Sequence, residues 1–222
     1  MLLREVSELL KKEITIELRQ KYALSGILLY LACTVFICYL SFNLQSNQLQ
    51  PITWNALFWI ILLFTAISAV AKSFLQESPG QFIYYYTIAS GQSIITAKMI
   101  YYSALLFGLG LIGFVFYGVV LGNPVQNTWL FIINIMLGSI GMATTLTLVS
   151  SIASKAQNNQ TLLAVLGLPI LIPVLLMSIK ISKNAMDGLA WSDSHNELAV
   201  ICSIDAIICT LSIILFPYIW RS

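Results

Sequence analysis

Charge is scarce in this chain of 222 residues. Its 11 Lys and Arg and 9 Asp and Glu amount to 9% of the sequence, against about 25% in ordinary soluble domains. That scarcity excludes a soluble enzyme with a charged shell, a disordered chain and a nucleic-acid binder with a basic face. Histidine occurs once, at His195, so no second histidine exists for a zinc site. The 4 cysteines form no C-x-x-C and read as small apolar packing residues. There is no G-x-S-x-G, no apparent Ser-His-acid set and no phosphate loop of the form G-x-x-x-x-G-K-S/T. An intramembrane enzyme is poorly supported, and any ATP must be hydrolysed by another chain.

Apolar residues make up the balance, at 59%, with a mean hydropathy of +0.88. Six stretches meet the requirement of about 20 mostly apolar residues for a spanning helix: 22–42, 53–71, 99–121, 128–152, 161–180 and 198–219. A barrel would show shorter alternating segments. Continuous runs favour helices, which satisfy their own backbone in lipid. The expected fold is an all-α integral membrane protein of six spans, a single domain over 1–222.

Basic residues are expected to set the orientation. Arg4, Lys11, Lys12, Arg19, Lys21, Lys72, Lys98, Lys155 and Arg221 fall on one side, and only Lys180 and Lys183 on the other. This places both termini in the cytoplasm. Residues 1–21 do not read as a cleavable signal. Leu3, Val6, Leu10, Ile14 and Leu18 share a helix face, and Glu8–Lys12 and Glu17–Lys21 are favourable i,i+4 pairs. The segment reads as an amphipathic helix on the inner membrane surface, as an anchor or as part of a partner's docking site.

Several motifs carry competing readings. Gly108, Gly110 and Gly113 match G-x-G-x-x-G inside an apolar run, where close helix packing replaces nucleotide binding. Gly118 with Gly122, and Gly138 with Gly141, suggest the same. Pro169 and Pro173 share a face of the fifth span and remove two backbone donors. A bend that serves alternating access and a static kink both fit. Asp205 is the one carboxylate within a span. Such groups are costly and face the bundle or water, so it is a substrate or proton site, or a structural carboxylate bonded to a neighbouring helix. His195, in the loop sequence WSDSHNE, reads as an ordinary loop histidine, or as a haem-iron ligand for which no second ligand is evident.

The cytoplasmic connection 72–98, KSFLQESPGQFIYYYTIASGQSIITAK, is the most informative segment. Ser78-Pro79-Gly80 and Ser90-Gly91 break the chain on either side of an aromatic patch containing Tyr84, Tyr85 and Tyr86. Tyrosines suit the membrane–water boundary. The patch is either a membrane anchor or a knob that inserts into a cytoplasmic motor.

This segment, with KKEITIELRQKYALSGILLY, LGSIGMATTLTLVSSIASKAQNN, LPILIPVLL and the terminal LFPYIWRS, resembles the CcmB family, the membrane subunits of the cytochrome c maturation ABC transporter. The likeness covers almost the whole chain. It implies an ABC-2-type permease in the bacterial inner membrane, paired with a CcmA-like ATPase and associated with CcmC, CcmD and the haem chaperone CcmE. It implies that residues 74–91 hold the coupling helix, with Phe74, Glu77, Gly80, Tyr84, Tyr85 and Tyr86 as contact candidates. ATP would bind the partner, no cofactor would bind this chain directly, and haem would be cargo of the complex. Six spans are few for an export pathway, so a homodimer within the complex is expected. Trp54 and Trp59 stand at an outer helix start and Trp191 stands alone, so the tryptophan-rich haem motif of CcmC is absent. The expected role is mechanical and non-catalytic. The competing reading is a direct haem or lipid translocator with a cavity near Asp205 in the sixth span.

Overall fold

A computed structural model describes residues 2–19, 21–43, 49–70, 74, 90–155 and 160–221. In chain order these form α1 (Leu2–Arg19), α2 (Lys21–Asn43), α3 (Pro51–Val70), α4 (Gly91–Leu121), α5 (Thr128–Lys155), α6 (Gln160–Met186), a 3₁₀ turn (Trp191–Ser194) and α7 (His195–Arg221). Every regular element among the described residues is helical. Six helices, α2 to α7, are long and apolar enough to cross a membrane.

The helix ends follow local chemistry. Ser90 caps α4, accepting from the Ser93 backbone N–H at 3.2 Å. α4 therefore starts well before the span expected at 99–121, and its 31 residues reach about 46 Å at 1.5 Å per residue. That exceeds a hydrocarbon core of about 30 Å, so α4 must tilt or extend past it. At its other end Gly122 adopts φ 84°, a conformation that favours glycine. Within the chain, Gly122 ends the helix, and Gly118 faces the side chain of Asn123. Asn127 caps α5 through Oδ1, which accepts from the Leu130 N–H at 3.2 Å. Gly188, at φ 70°, closes α6.

α5 is the centre of the bundle. Its neighbours are α3, α4, α6 and α7, and every residue from Gly141 to Ser151 is buried. Small residues allow this. A methyl added at Gly138 would lie 2.7 Å from the Trp59 ring, and one at Gly110 would lie 2.7 Å from Ile135. Around one end of the bundle, Trp54, Phe58, Phe114, Tyr117 and Phe131 form an aromatic cluster with neighbouring centroids 4.7 to 6.5 Å apart. The Trp54 indole N–H donates to the Gly122 carbonyl at 2.8 Å, and that of Trp59 donates to Ser182 Oγ at 2.8 Å. Asn134 Nδ2 donates to the Ser178 carbonyl and to Ser182 Oγ, both at 2.7 Å. These bonds fasten α3 to the end of α4 and both α3 and α5 to α6, where lipid offers no alternative partner.

Candidate functional site

The opposite end of the bundle carries most of the basic residues and a second, smaller core. Phe74, Ile94, Ile95, Met99 and Phe216 pack together, with Leu9, Cys209 and Ile213 at the margin. The core thus joins α1, the chain after α3, the start of α4 and the end of α7. Phe74 and Phe216 place their ring centroids 5.4 Å apart. Lys98 is 3% exposed, and its ammonium lies 4.6 Å from the Phe74 centroid, a cation–π contact strengthened by exclusion of water. The same ammonium meets Glu13 Oε1 at 3.5 Å, and Lys12 meets that oxygen at 3.2 Å.

A second carboxylate of α1 reaches the start of α4. Glu5 Oε2 accepts from the Ser93 hydroxyl at 2.8 Å, and from the Ser90 hydroxyl and backbone N–H at 3.4 Å each. The Ser93 bond first, and then the Ser90 bonds, hold the Glu5 carboxyl below its usual range. An anion at a helix N-terminus also complements the helix dipole. α1 therefore lies on α4 along the line Glu5, Leu9, Glu13. Of the expected apolar stripe, Leu10 packs on the main core and Ile14 is 47% exposed, open to the membrane surface on which the helix is expected to lie. Glu8 takes Lys11 at 3.1 Å instead of Lys12. The Glu17–Lys21 pair lies outside the described side chains.

Of the expected coupling contacts, Phe74 is described and is 1% exposed. Its ring packs on α4 and α7. Glu77, Gly80, Tyr84, Tyr85 and Tyr86 lie outside the described residues. Sequence reasoning missed Lys98, Glu13, Glu5 and Phe216. Lys98 had a visible signal, a lysine beside an apolar run, but it read as a loop charge.

Pro169 and Pro173 lie within one continuous helix, α6, and both are exposed on the side of α6 away from the core. Asp205 is buried, at 6% exposure. Its carboxylate abuts Gly141, where an added methyl would lie 2.5 Å from Oδ1, and Val174 shares that contact. Neither carboxylate oxygen has a hydrogen-bond partner among the described residues, so the expected bond to a neighbouring helix is not formed there. His195 is exposed at the first residue of α7. A cavity of about 450 Å³ lies between α3 and α6.

Six long apolar helices packed around a shared core define a multi-pass helical membrane protein. The chain belongs to the CcmB protein family, whose sequence profile matches residues 4–219. It is thereby a permease subunit of the cytochrome c maturation ABC transporter system. No curated protein matches the chain.

Proposed function

We propose that this subunit receives ATP-driven motion from a CcmA-like ATPase and uses it to release haem-loaded CcmE. It works beside CcmC and CcmD, as a homodimer, in the bacterial inner membrane with both termini cytoplasmic. It carries no catalytic group of its own: ATP binds the ATPase, and haem is the cargo of the complex. The observation that carries this reading is the second core. The chain entering the 74–91 segment is anchored through Phe74 onto α1, α4 and α7 at once, so a push on that segment reaches two long spans directly. Closure of two ATPase subunits displaces the segment, the spans follow, and the far end rearranges.

The test is made on the reconstituted complex with Glu77→Lys and Tyr85→Ala. ATP hydrolysis should persist while release of haem-loaded CcmE falls about tenfold or more, the scale of losing about 1.4 kcal/mol of coupling. Wild-type coupling in both variants sinks the assignment of this segment.

A further inference from the structure

The cavity of about 450 Å³ between α3 and α6 falls within the size range of small-ligand sites. It lies at the end of the bundle away from Lys98 and the second core, where Asn127 N–H bonds the Ala185 carbonyl at 2.9 Å. Its walls are apolar: Ile52, Ala56, Leu176 and Met186 contribute. Ile52 and Leu176 also stand exposed on the outside of the bundle, so the apolar wall continues onto the surface that faces lipid.

Two charged groups stand open on the cavity. Lys183 and Asp187 both line it. They are four residues apart on α6 and its closing turn, yet neither forms an ion pair among the described residues. Lysine preceding the acid is the weaker order for such a pair. Lys180, also at the cavity, is already taken by Glu197 at 2.9 Å. Asn55, 3% exposed, closes the inner wall, where its Nδ2 donates to the Ile179 carbonyl at 2.9 Å and ties α3 to α6.

The cavity thus offers one cation and one anion, beside an apolar wall that runs into the bilayer. An anionic lipid answers Lys183 but meets repulsion from Asp187 and brings no ammonium. A choline head has no N–H to give. A phosphate carrying a primary ammonium answers both groups. We propose that this cavity binds a phosphatidylethanolamine-type lipid. Its phosphate meets Lys183, its ammonium donates to Asp187, and an acyl chain lies along Ile52 and Leu176. This assignment is independent of the ATPase reading, and its readout is lipid retention alone.

The test is native mass spectrometry of the full-length chain, purified in detergent with equimolar phosphatidylethanolamine, phosphatidylglycerol and phosphatidylcholine of matched acyl chains. The ethanolamine lipid should be retained over both others. Lys183→Gln and Asp187→Asn should each lower its retention about tenfold, while Lys155→Gln at the far end leaves it unchanged. Ala56→Leu, which fills the cavity, should abolish the preference. Circular dichroism on each variant checks that helix content is kept. Equal retention of the three lipids overturns the proposal, as does preference for the glycerol lipid. Loss on Lys183→Gln with no effect of Asp187→Asn marks a plain anion site and overturns it too.

Discussion

Gly141 sets how closely α5 and α7 can approach, because the Asp205 carboxylate occupies the space a side chain would need. A methyl there would lie 2.5 Å from Asp205 Oδ1 and 2.8 Å from Val174 Cγ1. Neither neighbour can retreat freely, since Asp205 and Val174 are themselves buried. Gly141→Ala should therefore lower stability by about 1–3 kcal/mol, the usual range for overfilling a packed core. Thermal unfolding in detergent measures it. Gly108→Ala is the control, since nothing lies within 4 Å of a methyl at that position. An equal effect at both positions would mean that helix propensity, and not this contact, governs the result. Gly108, Gly110 and Gly113 look alike as a motif, but only Gly110 and Gly113 meet a neighbouring helix. Which glycine touches a neighbour depends on helix rotation, which spacing along one helix does not contain.

At the scale of the element, α1 is a docked helix held by its acids. Glu5 bonds Ser93 and Ser90 at the start of α4, and these bonds hold its carboxyl below the usual range. A depressed folded value means that the contribution to docking is present above the ordinary glutamate range and is lost as pH falls through the lowered value. Acidification should loosen α1 from α4, and Glu5→Gln should remove that part of the pH dependence. Spin labels at the exposed positions Ser7 and Gln92 report it as a lengthened interlabel distance. An unchanged distance on acidification counts against the docking role of Glu5. The six apolar helices were legible because lipid demands long continuous runs, and α2 to α7 obey that demand. The face of α1 was not legible, because its partners Ser90, Ser93 and Lys98 lie far along the chain. Phe74 stood out by position, but its sequestration depends on Phe216 from the last helix, a pairing no local pattern reveals.

At the scale of the whole molecule, the two ends of the bundle differ in chemistry. One holds Lys98, Glu13 and the small second core. The other holds the aromatic cluster, the cavity and Lys183. The proposed orientation puts the first end in the cytoplasm. In a background lacking the native cysteines, Lys183→Cys in intact cells should react with an impermeant maleimide, while Lys155→Cys should react only after permeabilisation. The reverse pattern would overturn the orientation, and with it the idea that the 74–91 segment meets a cytoplasmic ATPase.

The central position of α5 bears on how the protein is made. Asn134, Ser139, Thr145, Thr147 and Ser150 are buried within the finished bundle, shielded in large part by α6 and α7, which leave the ribosome later. Until those helices arrive, a half-made chain has to hold these polar groups against lipid. Insertion of α5 is thus a debt of biogenesis that only its successors settle, and a nascent chain halted after Lys155 would be marked for quality control by the very helix that later becomes its core.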